Sequence, residues 1–301
     1  MLIKPVTLVK RQTEPYYCSG APTLWARPGQ IDWPAPKIPE KQAEIRYDSL
    51  DYRRDGPVAT VTLARPESGN RIDSSLAAEL REACRAIGED EGIRSVIITG
   101  AGSVFSVGRE PVPEDLPPEA RLDWLRRLQV ASTLAGLPVP VIAAVNGNAQ
   151  DHGLELALAA DLRIASTDAS FGFTDLAQCS FPWDGGTQRL PRLVGPAWAR
   201  DVVLTGRIID ATQAMALGLV SEVVAGGELP ARARRLAETV AAGAPIAARY
   251  AKEAIGAGMD LTLAQGLRLE ADLNILLQST ADRAEGIQSY LQRREPEFRG
   301  G

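Results

Sequence analysis

Little in this chain is suited to holding a metal or passing electrons. His152 is the only histidine in 301 residues, and the three cysteines, Cys18, Cys84 and Cys179, share no metal-ligand or redox spacing. A zinc centre of His/Cys type is therefore excluded, and no other metal site is expected. The unspaced cysteines read as free thiols in a reducing compartment, which makes a cytoplasmic location the expectation. No Gly-rich phosphate loop and no GxSxG elbow occurs, so hydride transfer, phosphoryl transfer and serine hydrolysis lack their parts. No apolar run of about 18 residues is present, and no apolar h-region follows Lys4, so neither membrane spanning nor secretion is expected. There is also no excess of positive charge. Lys+Arg number 33 against Asp+Glu 38, a formal net charge of -5, and no basic face is offered to nucleic acid or anionic lipid.

Proline is frequent at the start and again over residues 111–118. Pro5, Pro15, Pro22, Pro28, Pro34, Pro36 and Pro39 rule out long helices in residues 1–44, while Tyr16, Tyr17, Trp25 and Trp33 supply apolar anchors. This segment reads as an extended arm that packs on the body or on a neighbouring subunit. From residue 45 strands and helices alternate, which predicts an α/β architecture with a largely parallel sheet. Two strands, 45–52 and 58–63, flank Arg53-Arg54-Asp55-Gly56 as a hairpin turn. A helix over 74–87 is capped by Asp73 or Ser74, a buried strand covers 95–99, and one helix covers 119–134. Further strands cover 140–145 and 162–165. Beyond residue 187 the pattern is helical, over 190–204, 210–217, 230–242, 245–257 and 261–277.

The chemistry concentrates in residues 146–190. The helix from Gly153 to Ala160 is apolar on every side except at Glu155, so it is predicted to be buried in full. A carboxylate there needs a partner or a purpose, since burying it alone costs several kcal/mol. It is either a structural acid bonded to backbone or a buried arginine, or a catalytic group. Asp175, twenty residues later, is a turn residue or cap on the bland reading and a second catalytic acid on the other. His152 opens the helix, and its backbone N–H is one of the free donors of a helix N-terminus, able to face an anion.

These residues carry a resemblance to the crotonase superfamily, the enoyl-CoA hydratase/isomerase family. It extends from about residue 45 to 298 through PVIAAVNG (138–147), LELALAADLRIAS (154–166), DGGTQRLPRLVG (184–195), LTGRIIDATQAMALGLVSEVV (204–224) and YLQRREPEF (290–298). The resemblance implies a crotonase, or ClpP-like, fold: repeated ββα units in two stacked sheets over 45–225. It also implies a C-terminal helical region, 226–301, that assembles trimers or dimers of trimers and covers the active site. Members act on an acyl-CoA thioester with no further cofactor and hold the enolate oxygen between two backbone N–H groups, here those of Arg109 and His152. The family's two acids fall on Glu155 and Asp175, which would hold and activate water. Tyr290 and Arg293 match positions that bind CoA.

Four positions depart from the family pattern. Asp151-His152-Gly153 stands where three glycines are usual, Asp175 is shorter than the usual Glu, Trp183 replaces a glycine beside Asp184, and Val112 takes the place of a CoA-binding lysine. With Asp151, Trp183 and Asp184 shaping the acyl pocket, the expected substrate is an unusual, bulky acyl thioester that is hydrated, dehydrated or isomerised. Two alternatives accompany this expectation. A β-diketone hydrolase of the same superfamily, which uses no CoA, has residues matching His152 and Asp184 but a histidine at position 175. A binding protein that keeps the fold without the chemistry is the other.

Overall fold

The computed structural model describes residues 46–113 and 115–301, so the proline-rich arm, Ile45 and Cys18 lie outside the described residues. A first sheet has the order β1-β2-β3-β5-β7-β10, built from β1 (Leu50–Asp55), β2 (Val58–Leu63), β3 (Ser95–Gly100), β5 (Val141–Val145), β7 (Leu162–Ser166) and β10 (Glu222–Val224). A second, smaller sheet has the order β4-β6-β8-β9, from β4 (Val104–Ser106), β6 (Asn148–Gln150), β8 (Ser170–Gly172) and β9 (Ile209–Asp210). The two interlock, because each of β3, β5 and β7 runs out of the first sheet directly into a short strand of the second. Among the described strands only the β1–β2 and β8–β9 pairs are antiparallel. This is the α/β architecture with repeated ββα units that the sequence led us to expect.

Period-two alternation divides the core. On β3, Val96 and Ile98 face one cluster and Ile97 the other, and on β5 Val141, Ala143 and Val145 face the first with Ile142 and Ala144 facing the second. The larger cluster also takes Leu76, Leu80 and Ile87 from α1 (Ser74–Glu89) and Leu154, Leu156, Ala157, Leu158 and Ala159 from α4 (His152–Ala159). The smaller one is closed by Leu229, Ala233 and Ala237 of α7 (Leu229–Ala241). Cys84 sits within the larger cluster, where burial pushes its thiol pKa up to about 12, while Cys179 is exposed. Both are free thiols.

Three segments differ from the sequence reading. The hairpin turn is Gly56-Pro57 and not 53–56, since Asp55 pairs with Val58, Leu50 pairs with Leu63, and Gly56 takes a left-handed φ of 59°. The exposed edge strand carries the charged Arg53, Arg54 and Asp55 without difficulty. The expected helix 119–134 is two helices, α2 (Pro118–Leu128) and α3 (Ala131–Ala135), broken where a buried carboxylate captures the amides of residues 130–132. The three-residue strands β4, β6 and β8, and the short β9 and β10, are too brief to show a period.

The helices after residue 185 follow the expected pattern with shifted ends. They are α5 (Gly186–Thr205), α6 (Ala211–Ala216), α7, α8 (Pro245–Gly258) and α9 (Leu263–Leu277), followed by α10 (Ala281–Gln292), which falls in the expected C-terminal helical region although its periodicity did not mark it. α5 is kinked at Gly195, whose φ of 79° and ψ of 158° leave the helix just before Pro196.

The second sheet positions the site. β4 and β6 are parallel neighbours, with Ser106 opposite Ala149, and beyond their ends Gly108 lies against Asp151, the residues just before Arg109 and His152. Gly153 makes this approach possible, because a Cβ there would lie 2.2 Å from the Ser106 carbonyl oxygen. Gly153→Ala is expected to destabilise the protein by about 1–3 kcal/mol through overpacking against backbone. Gly88→Ala, in the last turn of α1 with nothing within 4 Å of the new methyl, should instead be neutral or stabilising by up to about 1 kcal/mol. Urea midpoints of the two variants check both expectations.

Candidate active site

α4 begins at a strained residue. Asp151, its N-cap, has φ 49° and ψ -122°, a region that side chains other than glycine rarely enter. Several bonds hold it there. Its own N–H donates to the Gly172 carbonyl at 2.9 Å, and its carboxylate accepts from the Thr174 N–H, the Thr174 hydroxyl at 2.7 Å and the Asp175 N–H at 3.0 Å. Asp151 therefore acts as a clamp that fixes the turn carrying Asp175, a 3-10 turn over Asp175–Gln178.

Glu155 lies one turn into the helix, with only 1% of its surface exposed. One oxygen, Oε1, accepts from the Asp184 N–H at 2.7 Å and the Gly186 N–H at 2.8 Å, and so caps the start of α5. Among the described residues nothing donates to Oε2. The carboxylate is thus bonded to backbone, as the structural reading of this acid required, yet it keeps one oxygen for other work. Burial pushes its pKa up, against the pull of nearby His152 and the two amides.

Asp175 is half-buried, and its carboxylate accepts no hydrogen bond from a described residue. Burial and the neighbouring Asp151 charge raise its pKa, while Arg109 and His152 pull it down. Asp175 is tied to the start of the helix that carries Glu155 through its own N–H, which donates to the Asp151 carboxylate.

His152 Nε2 lies 3.1 Å from Asp184 Oδ2, and both side chains are buried. Asp184 Oδ2 also accepts from the Val130 and Ala131 N–H groups at 2.8 and 2.7 Å, and Oδ1 from the Ser132 N–H and hydroxyl. These bonds break the α2–α3 segment and make a helix N-terminus for the carboxylate to cap. Burial opposes the Asp184 charge, but the His152 contact and the Ala131 and Val130 amides outweigh it and hold the group below the usual carboxylate range. Trp183 packs against this pair, its ring centroid 5.7 Å from that of His152.

The backbone N–H groups of Arg109 and His152 donate to no acceptor among the described residues. The intervening strand pairing is satisfied around them, with Ile72 N–H donating to Gly108 O and Glu110 N–H to Ile72 O. The Arg109 side chain extends to Ser180 Oγ at 2.9 Å and lies over Trp124, 5.9 Å from the ring centroid. Ser180 and Trp124 were absent from the sequence reading, and no local motif marks either. Tyr290 and Arg293 sit at the end of α10, both exposed, and neither bonds to the cluster among the described residues.

A cavity of about 460 Å³ lies on the other face of the first sheet, beneath α7, lined by Ile97, Thr99, Asn146, Leu229 and Ala233. It holds none of these acids, so the chemistry is located by the polar cluster and not by that volume. Among the described residues no group of three or more His, Cys, Asp or Glu side chains is placed to hold a metal ion, and no helix is long and apolar enough to cross a membrane.

Comparison with known proteins gives a consistent picture. The family model described as enoyl-CoA hydratase/isomerase matches residues 53–301. The (E)-benzylidenesuccinyl-CoA hydratase of Thauera aromatica is 40% identical over 245 residues, covering 81% of this chain and 96% of that protein. The mitochondrial enoyl-CoA hydratase domain-containing protein 2 of Bos taurus is 37% identical, covering 85% and 89%. Among solved structures, an enoyl-CoA hydratase from Bacillus anthracis is similar with a TM-score of 0.81 at 36% identity, covering 84% of this chain and 100% of that one.

Asp184→Ala is expected to destabilise the fold by on the order of 3 kcal/mol at neutral pH, because it leaves buried amides and an imidazole without an acceptor. The wild-type contribution should be full above the ordinary aspartate pKa and vanish as pH falls through the lowered value, so the difference between variant and wild type shrinks in acid. Urea unfolding across the acid range measures it.

Proposed function

Because the chain belongs to the enoyl-CoA hydratase/isomerase family, we propose that this enzyme hydrates, dehydrates or isomerises an unusual, bulky acyl-CoA thioester through an enolate held by the Arg109 and His152 backbone N–H groups. One observation carries the reading: two carboxylates of raised pKa, Glu155 on α4 and Asp175 on the turn that Asp151 clamps to the start of α4, accompany two unengaged backbone amides, Arg109 just beyond β4 and His152 just beyond β6. The thioester oxygen accepts from both amides. Negative charge that develops on it meets donors already in position, each worth about 10²–10³ in rate.

In the hydration direction a water lies between Glu155 Oε2 and Asp175. One carboxylate takes a proton from the water as its oxygen adds to the β-carbon, and the electron pair of the C=C bond moves toward the thioester oxygen. The other carboxylate, protonated, then delivers a proton to the α-carbon as the C=O bond reforms. Dehydration is the reverse, and isomerisation needs only proton removal and return on the acyl chain. Trp124 and Trp183 offer flat apolar surface to a large acyl group, and the Thauera relative is named for one. Tyr290 and Arg293 are the proposed contacts to the CoA moiety.

We assign residues 45–225 to the part that carries the chemistry and residues 226–301 to trimer or hexamer assembly. Exposed Ile255, Leu263, Ile275 and Leu291 on α8–α10 support the latter. The His152–Asp184 pair is occupied with holding the start of α3, and position 175 holds an aspartate, so nothing here favours diketone cleavage over thioester chemistry.

Glu155→Gln keeps an oxygen for the Asp184 and Gly186 amides and removes the proton carrier. Its Tm should stay near wild type while kcat falls by about 10²–10⁴. Since burial raises both acids, the base form is lost as pH falls through values above the ordinary carboxylate range. The acid limb of the wild-type kcat profile should lie there. Undiminished turnover by Glu155→Gln would sink the assignment.

A further inference from the structure

Three buried side-chain nitrogens of this site have no hydrogen-bond partner among the described residues: Arg109 Nε, His152 Nδ1 and Trp183 Nε1. Only one other buried side-chain nitrogen or oxygen among the described residues, Arg249 Nε, shares that condition. Buried polar groups are ordinarily bonded, and leaving one unmade costs about 1–3 kcal/mol. Their concentration at one place marks where a polar ligand belongs.

Arg109 is the most informative of the three. Its guanidinium makes no ion pair among the described residues, although Asp175 is near enough for the arginine to draw its pKa down. Its partners are neutral: Ser180 Oγ on Nη2, the Glu110 carbonyl on Nη1 and the Trp124 face. Nε has no partner, and Nη2 carries two N–H groups of which Ser180 engages one, so Nε and Nη2 keep two N–H donors between them along one side of the guanidinium. That edge matches a carboxylate in bidentate fashion, a geometry that lysine cannot reproduce. The Arg109 backbone N–H is one of the two proposed thioester donors, and its side chain runs to Ser180, which is bonded to the turn that carries Asp175, so it reaches toward the acids proposed to act on the acyl group.

We propose that Arg109 is a specificity-determining residue that recognises a second carboxylate on the acyl group, so that the substrate is the thioester of a dicarboxylic acid. This rests on the thioester reading above. It adds that the acyl chain bears an anionic group within reach of the Arg109 side chain, which a plain fatty acyl chain does not. Bulk and aromatic character are accommodated separately, by Trp124 and Trp183.

Calorimetric titration of the full-length protein with succinyl-, glutaryl- and adipyl-CoA, each against the monocarboxylic thioester of equal chain length, tests it without turnover. At least one diacid thioester is expected to bind ten times or more tightly than its uncharged counterpart. That ratio should fall to near one in Arg109→Gln and stay intermediate in Arg109→Lys, which keeps charge but loses the fork. Equal binding within every pair by the wild type would overturn the carboxylate assignment and leave the thioester reading standing. No binding of any of the six compounds would overturn both.

Discussion

One buried carboxylate, that of Asp184, ties together most of what makes this site. Its oxygens take the amides of residues 130–132 and the ring of His152, while its own N–H is taken by Glu155. Three segments far apart in sequence are therefore joined through one small acid: the broken α2–α3 helix, the start of α4 and the start of α5. Because each bond involves a charge in a place where water is excluded, each is stronger than its equivalent at the surface. Glu155 acquires its orientation from this arrangement. With Oε1 fixed by two amides, Oε2 has a defined position, which a surface glutamate does not have.

Asp151 contributes the second constraint. A side chain at φ 49° and ψ -122° is costly, and it persists because its carboxylate holds the Thr174–Asp175 turn. The departure from three glycines therefore has a structural return: the turn bearing Asp175 is anchored to the same helix start that bears His152. Replacing two flexible residues by an aspartate and a histidine trades backbone freedom for two side-chain anchors, Asp151 to Asp175 and His152 to Asp184.

Much of the fold is legible in the sequence because its longer elements have strong periods. α1, β3, β5 and the buried α4 appear within a residue or two of their expected places, and Glu155 is conspicuous because it is the one acid on an apolar helix. The break at residues 129–130 is not legible, since no glycine or proline stands there and its cause is Asp184, 54 positions away. The strands of the second sheet escape for the opposite reason, being three residues or fewer. At the site, the sequence brings forward Glu155, Asp175, His152, Asp184 and Trp183, all of which the fold gathers. It conceals what Arg109 does with its side chain, because Ser180 and Trp124 come from a turn and a helix that no spacing connects.

The proposed chemistry turns on the backbone amides of Arg109 and His152, which would hold a developing enolate. Acetoacetyl-CoA ionises to a stable enolate with its own ultraviolet absorption, so difference spectroscopy of the bound ligand near neutral pH reads the claim directly. The account predicts that the protein binds this ligand as the enolate at a pH where the free compound is largely the ketone, since the amides favour the charged oxygen. Binding of the unionised ketone alone, at the pH of maximal turnover, would contradict it.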